Sequence, residues 1–344
     1  MKKQNKRVLH LLPSNSFSGA ENVACTIIEN NDKYDMFYCC PKGPIEDVLK
    51  EKNIKYIPIK RVTPWSLNKI LREYDIDIIH AHDFIASFVA GVSNFKGKII
   101  SHLHNNPPFI KKWNVYTMAY SLVSRRFYKV AVVSNSVYDE AVFKKAIKDK
   151  CQVVSNVVNK ERVIEMSKEY YDVKYDIAFI GRITEQKDPL KFIEIINNLK
   201  KKNIDINAVM IGSGDLENKC HDLILKYNLN ENIDMLGFQS NPFKFLKNVK
   251  IVLMPSKFEG FGLTAIESMC LGKPVLNSGK GGLYTIFDDF NEFICDDVDS
   301  YTELSFKLLT DDDLLSIYKH NCEKIIEKYV RIDLWMNSIY SLYE

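Results

Sequence analysis

The feature that most constrains this chain is an alternation. Eight short apolar runs, VLHLL, DIIHAH, KIISHLH, KVAVVS, DIAFIG, NAVMIG, IDMLGF and IVLMPS, recur along it, and segments of helical periodicity separate several of them. Short apolar runs suit strands buried on both faces, and helix-length spacers suit crossovers, so the pattern predicts βαβ units with parallel sheets. At 344 residues the chain is too long for one ordinary core and fits two. The polar stretch MSKEYYDVKY, 166–175, offers the break between them. The organisation read from it is a first domain over 1–168, a second over 169–326 and a closing helical segment over 327–344.

Composition, 46% hydrophobic and 26% charged, is that of an ordinary soluble protein. The N-terminus begins basic, but its apolar part is only VLHLL, followed by Pro13 and no cleavage-site pattern, so we read no secretory leader. The longest candidate for a membrane span, FIASFVAGV, falls far short of the roughly 18 to 20 residues required. Eight scattered cysteines without a CxxC suit reduced thiols, and with them a cytoplasmic location. Residues 1–168 carry 27 Lys and Arg against 16 Asp and Glu, a net +11, whereas the remainder carries 20 against 28, a net −8. No nucleic-acid motif accompanies the basic half, which argues for an anionic substrate or membrane surface and against nucleic acid as its partner.

Three helix starts follow predicted strands. In SGAENVACTII, Ser18 and Glu21 have the spacing of a capping box, and Ala20, Val23, Ala24, Ile27 and Ile28 make one apolar face. In GRITEQKDPLKF, Asp188 is the expected N-cap and Pro189 the first helical residue. In EGFGLTAIE the helix is expected from about Gly262 to Leu271, with Gly272 as its stop. Such junctions lie at the carboxyl ends of parallel strands, where α/β sheets bind ligands, and a helix N-terminus favours phosphate. Arg182 and Lys187 precede the second helix and add a guanidinium fork and an ammonium to the same anion, a diphosphate held without metal. Glu259 points from a loop, Glu267 lies over the first turns of the helix, and Phe261, Gly262 and Leu263 present backbone amides between them. The plain alternative is a capped surface helix with two exposed acids and two solvated cations.

Other local patterns compete. Asp75 and Asp77 form a D-x-D triplet, but it sits in the polar turn before a strand, so a metal role is not expected. His80 and His82 share a strand face and precede Asp83; with no further partner identifiable, a hydrogen-bonded strand end is expected rather than a metal site. IGSGDLE lacks the third glycine of a dinucleotide fingerprint. KKWNVYTMAYSLVSRRFYK, 111–129, combines basic ends with Trp113, Tyr116, Tyr120, Phe127 and Tyr128, and reads either as a peripheral contact with an anionic membrane or as a half-buried helix with aromatics in the core.

EGFGLTAIESMCLGKPV resembles the E-x7-E region of retaining family-4 glycosyltransferases. SGAENVA is similar to that family's N-terminal glycine loop, HAHD and SHLH to its N-domain strand ends, and VVSNVVN to the segment near the domain exchange. GRITEQKDP resembles its G-R-x4-K phosphate site, and IGSGDLEN and LGFQSNP, which contains Phe238, its nucleotide-side loops. The resemblance implies an α/β GT-B fold of two Rossmann-like, doubly wound domains facing a central cleft. It also implies a nucleotide-sugar donor, a UDP-sugar first, a glycan or lipid-linked acceptor, and no metal or other cofactor. Arg182 and Lys187 would hold the diphosphate, Glu267 the ribose, Glu259 the transferred sugar and Gly19 the phosphate, with Phe238, Phe261, Gly262 and Leu263 on the donor. His104 matches the histidine beside the anomeric centre, so His104 and Glu259 are the expected catalytic residues. The activity implied is transfer with retained configuration in bacterial surface polysaccharide synthesis. Its alternatives are a GT-B sugar-nucleotide epimerase or hydrolase and a catalytically silent nucleotide-binding subunit. Two departures stand out: Tyr284 and Thr285 replace the end of a GG-x-P-E stretch, and Glu292 stands where a glycine is frequent. The last segment resembles the helix that returns to the first domain, with Trp335 and Tyr340 as anchors.

Overall fold

A computed structural model describes residues 5–203 and 205–344. All eight apolar runs form strands, and four further strands join them. The first sheet contains β1 (Arg7–Leu11), β2 (Asp35–Pro41), β3 (Tyr56–Ile59), β4 (Ile78–His82), β5 (Lys98–Leu103), β6 (Lys129–Val132) and β7 (Cys151–Val153). The second contains β8 (Tyr175–Ile180), β9 (Ala208–Ile211), β10 (Ile233–Met235), β11 (Val249–Met254) and β12 (Val275–Asn277). Every pairing is parallel. The unforeseen strands include both edges of the first sheet, where Pro58 is tolerated in YIPI and Val153 is exposed.

Strand order is β3-β2-β1-β4-β5-β6-β7 in the first sheet and β10-β9-β8-β11-β12 in the second. Each order reverses once, between β1 and β4 and between β8 and β11. Crossovers therefore leave from each sheet in opposite directions on the two sides of the reversal, the arrangement that in parallel α/β sheets opens a ligand crevice at the carboxyl ends of the strands.

The chain divides into one unit of Met1–Val157 with Arg331–Glu344 and another of Val158–Val330. The sequence reading put these divisions after residues 168 and 326. The helix Lys160–Ser167 lies in the second unit because it packs on the helices Phe243–Leu246 and Leu263–Cys270. The helix Ile332–Tyr343 lies in the first: it contacts β5, buries Trp335 and Tyr340, and sets the Tyr340 hydroxyl 2.7 Å from Asp32 Oδ1. Tyr343, not foreseen as an anchor, is fully buried as well, with its hydroxyl 2.7 Å from His80 Nδ1.

The expected helices occur with local corrections. Gly19–Glu29 buries Val23, Ala24 and Ile27, but Ser18 makes no capping bond to the backbone; its hydroxyl donates to the Glu21 carboxylate, itself buried. Asp188 does precede the helix Pro189–Lys201, yet it is left-handed at φ 52° and its side chain caps nothing. The third helix runs Leu263–Cys270 behind a left-handed Gly262, with Gly272 also at positive φ past its end.

Candidate functional site

In the second unit, the residues singled out from the sequence gather where β8 and β11 part. β8 runs into Gly181 and the loop carrying Arg182 and Lys187; β11 runs into Ser256, Glu259 and the helix Leu263–Cys270. The two loops are stitched together: Lys257 N–H donates to Gln186 O at 2.8 Å, and Gln186 Nε2 donates to Phe258 O at 3.1 Å. Arg182 remains exposed, its guanidinium donating to Gln186 Oε1 at 2.9 Å.

Lys187 and Glu259 are directly paired, Nζ to Oε1 at 2.5 Å, with side chains 14% and 7% exposed. Ser256 Oγ donates to the same oxygen at 2.8 Å. Sequence reasoning gave this lysine and this glutamate separate ligands; the structure makes them one unit. Ser256, three residues ahead of Glu259, was missed, although its spacing was the available signal.

Glu267 lies on the first turns of its helix, largely enclosed. Burial pushes its carboxyl up to about 7, while the charges of Lys187 and Arg162 pull the other way. One ammonium therefore serves both glutamates. Arg162 comes from the helix Lys160–Ser167, outside any motif, and the sequence carried no signal for it.

This shift has a measurable sign. An unfolded glutamate titrates near 4.5 and the folded one near 7, so between these values the fold retains a proton that the unfolded chain has released. Stability falls as pH rises through that window. From pH 5 to 7.5 the wild type should lose on the order of 2–3 kcal/mol that Glu267→Gln does not lose, measurable from urea unfolding midpoints at the two values.

The remaining donor-side residues are placed differently. Phe238 is exposed on the loop after β10, whereas Phe261 is buried edge-on against Tyr329, ring centroids 5.5 Å apart, so that only its backbone is free to serve a ligand. Gly262 has φ 111°, and a Cβ there would lie 2.7 Å from Leu283 Cδ2. At the start of this helix Ala265 N–H already donates to Gly262 O at 2.9 Å, whereas the Leu263 and Thr264 amides have no preceding helical carbonyl to bind, the arrangement that favours an anion. The departing GGLYT segment packs here too: Gly282 N–H donates to Glu259 O at 2.8 Å, and Tyr284 is exposed. Glu292 accepts from Asn321 Nδ2 at 3.1 Å.

In the first unit, the carboxyl ends of β1, β4 and β5 carry a polar cluster. Five of the seven histidines, His10, His80, His82, His102 and His104, stack across these strands, with His80 opposite His10 and His82 opposite His102 in register. His10 Nδ1 is 3.0 Å from His82 Nε2, and His82 Nδ1 is 2.8 Å from His104 Nε2. Separately, Tyr343 Oη meets His80 Nδ1, and His80 Nε2 lies 3.1 Å from His102 Nδ1. The hydrogen-bonded strand end expected for His80 and His82 is present, but with partners from β1, β5 and the last helix that sequence spacing did not reveal. His10, His80 and His82 form one trio with ring nitrogens within 4.8 Å, and His82, His102 and His104 another.

Burial holds His10 and His104 down to about 3 and the other three well below the usual histidine range, so all five rings are neutral at pH 7. Asp83 adopts φ 63°, a costly conformation for a residue with a Cβ, and its Oδ1 accepts the His104 backbone N–H at 2.9 Å. Burial raises its carboxyl to about 6, partly offset by that bond. Gly19 is exposed at the start of its helix. Asp77 of the D-x-D triplet is engaged structurally, accepting Arg7 N–H at 2.8 Å.

Comparison with known proteins places these features in a family. A model described as "Glycosyltransferase Family 4" matches residues 24–162, and one described as "Glycosyl transferases group 1" matches 161–327. An uncharacterised glycosyltransferase of Methanocaldococcus jannaschii is 28% identical, with 82% of this chain and 84% of that protein covered. The UDP-Gal:alpha-D-GlcNAc-diphosphoundecaprenol alpha-1,3-galactosyltransferase of Escherichia coli is 24% identical, covering 98% and 96%. The crystal structure of Anabaena HepE in complex with UDP and glucose matches at a TM-score of 0.86, with 16% identity over 98% of both chains.

Proposed function

We propose, from the premise that this chain belongs to the family-4 glycosyltransferases of GT-B fold, that it transfers a sugar from a UDP-sugar to a glycan or lipid-linked acceptor with retention of configuration. The observation that carries the reading is the Lys187–Glu259 pair beside Glu267, at the strand-order reversal of the second unit and flanked by two helix N-termini. A lysine and a guanidinium there meet a diphosphate, Glu267 meets ribose hydroxyls, and Glu259 meets the transferred sugar.

The bond that breaks joins the anomeric carbon to the diphosphate oxygen; the bond that forms joins the same carbon to the acceptor oxygen. Lys187, Arg182 and the helix amides stabilise charge as it develops on the departing UDP, the term to which such sites owe most of their rate. The leaving oxygen, on the same face as the acceptor, takes the acceptor's proton. The cations supply the charge that a divalent metal would otherwise bring, and activity is expected to survive EDTA. Relatives named for a diphosphoundecaprenol acceptor and for capsular polysaccharide synthesis support an acceptor of that class and a role in bacterial surface polysaccharide synthesis.

Calorimetric titration with UDP-, GDP- and ADP-sugars tests the donor, and the anomeric configuration of the product, read by NMR, tests retention. A product of inverted configuration would sink the mechanism, and donor turnover without acceptor would point to an epimerase or hydrolase.

A lipid-linked acceptor requires approach to a membrane. Among the described residues no helix is long and apolar enough to cross one. The 111–129 segment divides between the two readings given above: Tyr120 and Phe127 are core residues, but Trp113, Val115, Tyr116, Met118 and Leu122 are each more than half exposed. Val115, Met118 and Leu122 share one face of the helix Val115–Val123. The adjoining helix Asp83–Val92 adds Ile85, Phe88 and Val92, also exposed, and Lys111, Lys112 and Arg125 flank the patch. An apolar patch with basic flanks suits the surface of an anionic bilayer. Flotation with phosphatidylglycerol vesicles should capture the protein and neutral vesicles should not. The double variant Trp113→Ala, Leu122→Ser is expected to weaken capture at least tenfold, since each apolar side chain contributes about 1.5–3 kcal/mol; equal capture of both proteins rejects this surface.

A further inference from the structure

We infer that His82 is a positioning residue that fixes His104 in one tautomer, with its proton on Nδ1 and its Nε2 accepting from His82 Nδ1–H. His10, His82 and His104 are linked by two nitrogen–nitrogen contacts of 3.0 and 2.8 Å, both hydrogen-bond distances. Three neutral imidazoles carry three N–H protons. Two fill the links and the third must sit at one end, so the chain has only two states: the spare proton on His10 Nε2 or on His104 Nδ1. Both end nitrogens are buried without a partner.

The ends are not equivalent. His10 lies on β1, between β2 and β4, and is fully enclosed, so a proton on its Nε2 would be a stranded donor with no route to an acceptor. His104 is the only member of the cluster that retains solvent exposure, and it follows the last residue of β5. Its Nδ1–H needs only a small movement to meet water or a ligand oxygen. The protons therefore run from His10 to His82 to His104, leaving a bare lone pair on His10, the less costly of the two defects. Asp83 completes the grip: adjacent residues at the end of β4 hold His104 by its ring and, through Asp83 Oδ1, by its backbone.

A metal shared by these rings is the competing occupant. Nitrogens bound to one zinc at about 2.0–2.1 Å in tetrahedral geometry stand about 3.3 Å apart. The two contacts here are shorter than that, and the third nitrogen of either trio is within 4.8 Å rather than in a link with both others. Direct hydrogen bonds describe the contacts better.

The test uses the full chain with 15N-labelled histidine. Long-range proton–nitrogen NMR correlations report which ring nitrogen carries the proton, and wild-type His104 is expected as Nδ1–H. His82→Leu should release it to Nε2–H or a mixture, whereas His82→Asn, whose amide can still donate to Nε2, should keep Nδ1–H. A wild-type His104 protonated on Nε2, an unchanged tautomer in His82→Leu, or stoichiometric retention of zinc or cobalt by the wild type would each overturn the inference. The wild-type assignment needs no variant, so a folding failure in His82→Leu leaves it decisive.

The kinetic arm rests on the reading that His104 serves the transfer reaction. There His82→Leu should lower kcat about 10–100-fold with the donor KM within about twofold, and His82→Asn should restore most of it. Full activity in His104→Ala would sink that reading, while the tautomer measurement would still decide the inference.

Discussion

Lys187→Ala is expected to lower kcat/KM for transfer by about 10²–10³-fold, the range typical when one preorganised charge or donor is removed from a site that stabilises a departing anion. The same change should also destabilise the second unit. Lys187 Nζ is the cationic partner of a Glu259 side chain that is only 7% exposed, and without it that oxygen keeps only the Ser256 hydroxyl. Breaking a buried ion pair from one side costs about 3–5 kcal/mol. A fall in activity by itself would therefore not distinguish a diphosphate ligand from a structural cation. The double variant Lys187→Ala, Glu259→Gln, set against Glu259→Gln alone, does: with no carboxylate stranded, most of the stability should return, measured by urea unfolding, while donor affinity and transfer fall below those of Glu259→Gln. Donor affinity and transfer equal to those of Glu259→Gln would mean that Lys187 only neutralises Glu259, and its assignment to the diphosphate would fall.

That duality shows where sequence reading succeeded and where it stopped. The strands were legible because βαβ architecture leaves apolar runs in the chain itself, and the reversal of strand order then brings the loops after β8 and β11 together. Arg182, Lys187, Glu259 and Glu267 were legible as candidates because each lies at a strand-to-helix junction. What the residues do to one another was not. Lys187 and Glu259 are 72 positions apart, and their contact is a property of loop closure. The histidine chain is less legible still: His10 and His82 also stand 72 positions apart, and a pairing on neighbouring strands is set by register, which a single sequence does not carry. Edge strands such as YIPI escaped because their pattern is shaped by solvent and proline rather than by burial on both faces.

The glycines of IGSGDLEN make the same point with an expected effect of similar size on stability. The motif resembles a nucleotide-side loop, but Gly212 has a structural task that the resemblance does not mention. Its φ is 141°, outside the range that L side chains readily adopt, and a Cβ built there would lie 1.9 Å from the carbonyl oxygen of Gly181. That oxygen belongs to backbone and cannot rotate away. Around the contact the two loops are hydrogen bonded into one piece: Gly181 N–H donates to Ile211 O at 3.0 Å and Ile183 N–H to Ser213 O at 2.9 Å, while Gly212 N–H ties them to the segment after β10 through Gly237 O at 2.8 Å. Gly212→Ala must therefore push the segment bearing Arg182 and Lys187 away from β9. Backbone strain of about 1–3 kcal/mol and overpacking of similar size add, giving a loss of about 2–6 kcal/mol. The urea midpoint should fall accordingly, and donor affinity should fall with it even though no atom of Gly212 need touch the donor. A variant as stable as wild type with weakened donor binding would instead mean that the loops separate freely and that Gly212 acts on the ligand directly.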